Sequence, residues 1–543
     1  MLGPWAGALA AEAGKRLVVS PFMRARVTAM PVEDTAKFLS RFWVQLPDTR
    51  YYAARLGLTA QSAYTPVPAS ARLRHLQELQ QKTLDYRDWL EMRLRLRGGQ
   101  YSGGEAISVC LLTTIYEHTN FAYLAELADS VVKQTLRAAQ WVIVAHGPIP
   151  ADVLGQVKAH AAGWGATLVV EAKPLGIMGA MHLALTQAET KYIVPVDADD
   201  LLTADALQIL TSEIARLGEP DMVFSDEDLL VDGVPASPYL RGGFDPVLNL
   251  DSSTIWHLCA IKRERALALA LYTDAAATWC HDWDSVLRIA QAGGRVEHIP
   301  EILYHWRQHG GSTTNKTEGD PRSLESVRHV LERKIAGLQQ PERFYVAPWP
   351  VDRGAKELFI ARHNVEMPRF GRAGDEGEAD MLIFTANDVV VDSEQSFLEV
   401  ARLMELHPHI GAVGGLVTDD LGTVVDACGM ANGAGVLESP WLGRAAGYGG
   451  PYALAGKTQM VSVTGSRLAF FRTAALRDAG GWELGAAPAD IIARLAARGW
   501  GVAFSPLVRG RSGVAQAGIT WPTTLPACEN ALLRYGMSRN FKE

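Results

Sequence analysis

Cysteine is scarce in this chain, and no apolar stretch is long enough to lie buried in a membrane. The 543 residues hold five cysteines, Cys110, Cys259, Cys280, Cys428 and Cys528, with no Cys-x-x-Cys pair among them. That spacing argues against a disulfide scaffold and a structural zinc site, and it fits a reducing compartment. No apolar run approaches the ~18 residues of a membrane helix. The opening MLGPWAGALAAEAGKR has neither a basic leader nor a long apolar core. Secretion is therefore not expected; the expected place is cytoplasmic, with the inner face of the membrane open as a site of attachment.

What is present is globular: 48% hydrophobic and 21% charged residues, in a length that suits two or three domains. Charge is uneven. Residues 1–100 carry 15 Lys+Arg against 8 Asp+Glu, a balance of +7 that leaves −15 for the rest of the net −8. The basic front end suits either a solvated helical face or contact with an anionic membrane or a partner enzyme. Nucleic acid is not an expected partner of so acidic a remainder.

Residues 71–97 contain no Gly or Pro and predict one long polar helix, followed by a linker at Gly98-Gly99 and Gly103-Gly104. From Ile107 strands and helices alternate: strand 107–112, helix near 121–135, strand 141–144, helix 151–163, strand 167–170, helix 178–188, strand 192–196. Alternation of this kind predicts an α/β, doubly wound Rossmann-like sheet with its ligands at the carboxyl ends of the strands. Pro195 is awkward there, since proline cannot donate to a central ladder. The expected division is a basic helical region 1–103, an α/β domain 104–335, a linker 336–380, a second α/β region 381–515 and a tail 516–543.

Three stretches carry chemistry. Asp197-Ala198-Asp199-Asp200 follows a strand directly. Three carboxylates so close repel unless a cation or hydrogen-bond donors offset them, and oxygen ligands of this kind suit Mg²⁺ or Mn²⁺. Helix capping ahead of Leu201 is the competing explanation. In His281-Asp282-Trp283-Asp284, the apolar face of Trp283, Val286, Leu287 and Ala290 puts the aspartates at a helix start, where the dipole favours their ionised form. Capping competes here too. In Tyr304-His305-Trp306-Arg307-Gln308-His309, running into Gly310-Gly311-Ser312-Thr313-Thr314, a strand would project His305, Arg307 and His309 to one face, a set composed for gripping a diphosphate and its metal.

In order and spacing these pieces, with Ser225-Asp226-Glu227-Asp228, resemble family 2 glycosyltransferases of the GT-A fold, notably bacterial enzymes extending surface polysaccharides, such as rhamnosyltransferases of O-antigen synthesis. The resemblance implies a metal-dependent, inverting transfer of sugar from a nucleotide diphosphate to a hydroxyl of a glycan, lipid-linked or protein acceptor. It implies Asp282 as general base and Asp197, Asp199 and His309 as ligands of Mn²⁺ or Mg²⁺. Thr113, Asp197, His305 and Arg307 would meet the donor, and Asp226, Asp228 and Trp283 would lie toward the acceptor. Members commonly show Pro-Thr after the first strand, one or two Asp after the second and Arg-Asn before the metal motif. Here stand Leu112-Thr113, Val144-Ala145-His146-Gly147 and Met181-His182, which leaves UDP, dTDP and GDP donors open.

An internal repeat supports a second domain of the same kind. Sliding residues 281–300 by 206 onto 487–506 matches Asp284 with Asp490, Arg288 with Arg494, Gly293 with Gly499 and Pro300 with Pro506, while Asp282 meets Pro488. The carboxylate cluster is echoed by Asn387-Asp388 alone. Between Phe344 and Asp388 lie 44 positions against 90 between Ile107 and Asp197, too few for a nucleotide-binding half. The second domain is thus expected to be truncated and silent, serving acceptor binding, a homo-oligomer or a partner. Two other functions stay open: a non-catalytic pseudo-glycosyltransferase scaffold, and a sugar nucleotidyltransferase. The stretch 113–119 lacks the Gly and Arg that the latter needs for a triphosphate.

Overall fold

The structure is a computed structural model and describes residues 86–97, 101, 107–309, 321–350, 357–372, 375, 377–431, 437–483, 485–513 and 530–532. The basic region up to residue 85, the Gly98-Gly99 and Gly103-Gly104 linker, the loop from Gly310 to Thr314 and most of the tail lie outside these residues. The chain divides into two compact units at His363/Asn364, the first beginning at Leu90. Cys110, Cys259, Cys280 and Cys428 are all unpaired.

In the first unit the expected alternation forms β1 (Val109–Ile115), α2 (Phe121–Val132), β2 (Gln140–His146), α3 (Ala151–Trp164), β3 (Thr167–Glu171), α4 (Gly176–Gln187) and β4 (Tyr192–Pro195), after α1 (Tyr86–Arg97). It continues through β5 (Leu201–Leu202), α5 (Ala206–Arg216), β6 (Met222–Val231), β7 (Val234–Tyr239), α6 (Pro246–Asp251), β8 (Cys259–Lys262), α7 (Arg263–Ala268), α8 (His281–Gln291), β9 (Val296–Gln308), α9 (Pro321–Ala336), β10 (Phe344–Pro348) and β11 (Leu358–Arg362). The sheet runs β3-β2-β1-β4-β8-β6-β9-β5, with β7 beside β6. Its first four strands are parallel, as the alternation requires; β8 and β5 run against their neighbours, so the second half is mixed. Central strands are buried on both faces: Leu111, Ile143 and Val194 join a core with Leu124, Leu127 and Ile209 from the helices. Each such side chain contributes about 1.5–3 kcal/mol on leaving water. Strand order reverses between β1 and β4, and the crevice beyond their carboxyl ends is where such sheets take ligands.

Pro195 fits its central strand for a local reason. The β4–β8 ladder pairs only Tyr192 and Ile193, so the proline lies past its end. On the other side Val196 N–H resumes the ladder by donating to the Leu112 carbonyl at 2.9 Å.

α1 is pinned by charge rather than by grease. Arg97, 1% exposed, directs all five N–H groups inward: Nε to Asp205 Oδ2 (2.9 Å), Nη1 to Glu301 Oε2 (3.2 Å) and the Ile302 carbonyl (2.9 Å), Nη2 to Thr203 Oγ1 (3.0 Å) and Asp205 Oδ1 (2.7 Å). Arg93 and the Tyr101 hydroxyl complete the shell of Glu301. Thr203 and Asp205 follow β5, and Glu301 and Ile302 lie in β9, so this guanidinium ties together two strands of the functional site.

The second unit contains β12 (Phe370–Gly371), β13 (Met381–Thr385), β14 (Val389–Val391), α10 (Glu394–Leu406), β15 (Ile410–Thr418), β16 (Val424–Asp426), β17 (Met430–Ala431), β18 (Leu437–Glu438), β19 (Gln459–Val461), β20 (Leu468–Arg472), α11 (Thr473–Asp478), α12 (Pro488–Ala497) and β21 (Gly501–Ser512). Its main sheet runs β12-β13-β20-β15-β21-β14. Strand for strand this repeats β1-β4-β8-β6-β9-β5, with every neighbouring pair in the same relative sense. Among the described residues no strand corresponds to β2 or β3. The main sheet of the second unit thus repeats six strands of the first.

Candidate active site

The turn after β4 delivers the three aspartates to different fates. Asp200 is 1% exposed, and both its oxygens are occupied: Oδ2 accepts from Tyr304 Oη at 2.6 Å and Oδ1 from Arg307 N–H at 2.8 Å. Burial, together with the charges of Asp197 and Asp199, pushes its carboxyl well above the ordinary value. Asp197 and Asp199 keep side chains 56% and 39% exposed. Helix capping does not explain them, because α5 starts only at Ala206 and its cap is Asp205.

Around this turn the acidic and basic groups interlock. His309 Nε2 lies 2.7 Å from Asp199 Oδ2. Arg307, 7% exposed, donates through Nε to the Asp199 carbonyl (2.5 Å) and through Nη2 to Glu126 (2.6 Å), with its guanidinium over the Tyr123 ring at 4.4 Å. His257 bridges two carboxylates, Nδ1 to Glu227 Oε2 at 3.1 Å and Nε2 toward Asp197 Oδ2 at 3.5 Å, and stacks on Tyr304 at 4.7 Å. Burial by itself would lower its pKa; the bonds to Asp197 and Glu227 outweigh that and hold it well above the ordinary histidine value. Glu227 is buried against the Arg241 guanidinium at 3.0 Å. Burial would raise the Glu227 carboxyl, but Arg241 and His257 keep it below its usual range.

Among the described residues one group of side chains converges closely enough to hold a divalent cation. Asp197, Asp200 and His257 each bring a ligand atom to within 4.8 Å of the others. However, both Asp200 oxygens and both His257 nitrogens already face partners. Of the expected ligands, His309 meets Asp199, but Asp197, Asp199 and His309 do not converge as a group within that distance, although two half-exposed carboxylates and an imidazole are of the type that suits Mn²⁺ or Mg²⁺.

Asp282 and Asp284 both fall in the first turn of α8, whose cap, Cys280, makes no side-chain bond. Asp284 is 1% exposed and held by Arg288 Nε at 2.9 Å and by Arg333 from α9. Asp282 remains 34% exposed beside His281 Nε2 at 3.3 Å. The His281 imidazole is near enough to Asp197 for their charges to interact. The carboxylate of Asp282 is thus the one of the two left open at this helix start.

Other expected site residues are placed differently. Thr113 is wholly buried, and its Oγ1 accepts from the Trp141 indole at 3.0 Å; Thr114, next along β1, is the half-exposed one. A donor cannot reach Thr113. Replacing it by Val, which keeps the shape and removes the acceptor, is expected to leave donor affinity unchanged and cost about 1–3 kcal/mol in a urea titration. Asp226 is fully buried and accepts from Arg241 N–H (2.8 Å) and His298 Nε2 (2.9 Å). Asp228, equally buried, pairs with His305 Nδ1 at 2.5 Å. Trp283 is packed at 3% exposure with Nε1 on the Asn249 carbonyl at 2.6 Å. None of these three presents a free face to an acceptor. At the end of β2, where the resembled family carries Asp, buried His146 accepts from Leu175 N–H at 3.3 Å.

Glu126, Tyr123, Glu227, Arg241 and His257 were not singled out by the motifs. Glu227 had a signal, since Ser225 and Glu227 share a strand face opposite Asp226, but register shifts around Asp226 disturb that period. The others come from separate elements, and no spacing marks them.

Comparison with known proteins bears on the same segment. Residues 110–225 match the model for glycosyl transferase family 2. The uncharacterized protein y4gI of Sinorhizobium fredii is 27% identical over 262 residues, covering 46% of this chain and 28% of its own length. The O-antigen biosynthesis protein RfbC of Myxococcus xanthus is 23% identical over 229 residues, covering 41% of this chain and 18% of its own. The chain therefore spans under a third of the length of these curated relatives. Among solved structures, S. aureus TarS 1-349 with UDP is 16% identical at a TM-score of 0.34, over 43% of this chain and 67% of that one. GalNAc-T7 with UDP, GalNAc and Mn²⁺ is 14% identical at a TM-score of 0.33, over 43% and 52%. On residues 110–225, which run from β1 into β6 and include the aspartate turn, the chain is similar to glycosyl transferase family 2.

Proposed function

We propose that the first unit transfers a sugar from a nucleotide diphosphate donor to an acceptor hydroxyl, with inversion, in the synthesis of a bacterial surface glycan in the cytoplasm. The observation that supports this reading is that both carboxylate sets stay open, the Asp197/Asp199 pair with His309 on Asp199 and Asp282 at the start of α8. Asp282 accepts the proton of the acceptor hydroxyl as that oxygen forms its bond to the anomeric carbon. The bond from that carbon to the diphosphate breaks on the opposite side, and its electron pair leaves with the nucleoside diphosphate. Asp197, Asp199 and His309 would hold Mn²⁺ or Mg²⁺, which when bound supplies positive charge for the departing diphosphate. Arg307, bonded to Glu126 and the Asp199 carbonyl, shapes the turn and would add positive charge beside the diphosphate. The acceptor is a glycan, lipid-linked intermediate or protein; among the described residues no helix is long and apolar enough to cross a membrane.

The test is a thermal-shift screen of UDP-, dTDP- and GDP-sugars with Mn²⁺. A true donor at 100 times its Kd stabilises the fold by about 2.7 kcal/mol, and one nucleotide class should stand out. Equal, negligible shifts for all three classes would remove donor binding and with it the transferase reading.

A further inference from the structure

The two sheets can be aligned by hydrogen bonding rather than by sequence, and the alignment identifies what the second unit put in place of a metal. Met222 faces Ile261 and Val296 in the first sheet; Ala412 faces Phe471 and Val502 in the second. Arg263 N–H donates to the Lys191 carbonyl, and Thr473 N–H to that of Asp380. The turn after β4 closes with Asp200 N–H on the Asp197 carbonyl at 3.4 Å, and that after β13 with Val389 N–H on the Ala386 carbonyl at 3.0 Å. Leu201 then pairs with His305 as Val390 pairs with Arg511. These registers agree with one another and set Ala386 at the place of Asp197, Asp388 at that of Asp199, Val389 at that of Asp200 and Arg467 at that of His257.

The second unit has therefore kept one of the two candidate metal carboxylates. Asp388 is 33% exposed and does not stand alone: its Oδ2 accepts from Arg467 Nη2 and from Ser512 Oγ at 2.6 Å. Arg467 Nη2 also donates to Ser512 Oγ at 2.8 Å. In the first unit the equivalent Asp199 meets an imidazole, a group that can share a cation. In the second, the carboxylate meets a guanidinium, which keeps its charge at any working pH and has no lone pair to offer a metal.

We infer that Arg467 is a built-in replacement for the divalent cation, so that the second unit holds its turn and sheet edge together by an internal ion pair and binds no metal. The reading rests on Asp199 being a metal ligand in the first unit, and the test separates the two. In the full chain carrying Asp199→Asn, which silences the first site, bound Mn²⁺ is counted by equilibrium dialysis and the melting midpoint followed with and without millimolar Mn²⁺. With Arg467 intact, no Mn²⁺ should bind and the midpoint should not respond. Adding Arg467→Met should lower the midpoint and make it rise with Mn²⁺; adding Asp388→Asn as well should abolish that rise and recover part of the loss. An ion bound while Arg467 is intact and lost on Asp388→Asn would overturn the inference, as would an Arg467→Met midpoint that ignores both Mn²⁺ and Asp388→Asn. Failure of the first-unit reading looks different: Mn²⁺ binding absent from the wild-type chain, with the second-unit variants unaffected.

Discussion

Asp282→Asn is expected to lower sugar transfer by about 10²–10⁴-fold, the usual cost of removing a general base. Donor and Mn²⁺ affinities should be nearly unchanged. The substitution keeps the size of the side chain and removes only its ability to take a proton. Structural damage should be small, because Asp282 is 34% exposed, with the His281 imidazole beside it at 3.3 Å. The equivalent change at Asp284 should behave oppositely. That carboxylate is buried under Arg288 and Arg333, so Asp284→Asn is expected to damage stability first and turnover only through the position of α8. Transfer rates of the two variants, set beside their urea midpoints, distinguish a base from a brace. Near-normal transfer by Asp282→Asn would end the assignment.

The largest expected loss of stability is at Arg97. Arg97→Met should destabilise the first unit by about 3–5 kcal/mol, the range for removing one partner of a buried ion pair. The arginine side chain is fully buried; its loss leaves Glu301, 1% exposed, with Arg93 and Tyr101 only, leaves Asp205 with the Thr203 hydroxyl alone, and removes a donor from the Ile302 carbonyl. Arg97→Lys should recover little, since a single ammonium cannot reproduce a planar fork that spans β5 and β9. Chemical denaturation of the full chain, followed by a probe in the first unit, measures the effect. A loss below about 1 kcal/mol, the level of an exposed pair, would show that α1 is an accessory rather than part of the unit. Expecting the α/β domain to begin at 104 left this helix out: its polar sequence is that of a solvated face, and only the contacts show that Arg93 and Arg97 turn to Glu301 and Asp205.

Much of the site was legible because its chemistry is local. Strong period and apolar runs marked β1 to β4, and a carboxylate triplet directly after a strand marked the turn. The aspartates of α8 stood out against the apolar face of Trp283, Val286 and Leu287. Which aspartate does what was not legible. Asp197, Asp199 and Asp200 are near-identical in sequence, and Asp200 becomes structural only because Tyr304 and the Arg307 amide come from β9, more than 100 residues on. Thr113 and Thr114 differ by one position on a strand, which sends one into the core and the other to the crevice.

The sequence by itself determined the α/β alternation, the placing of acidic groups at strand and helix ends, and the existence of a second, shorter copy, because these depend on periodicity and nearest neighbours. Tertiary structure alone decided which carboxylates stay open to a cation or a substrate and which are spent on holding the fold. It also decided that Asp388 answers to Asp199 and is closed by Arg467. Buried polar groups are satisfied by whatever is near in space, and pairs such as Asp200–Tyr304, Glu227–Arg241 and Asp388–Arg467 are assembled by sheet register, which single-chain spacing does not encode.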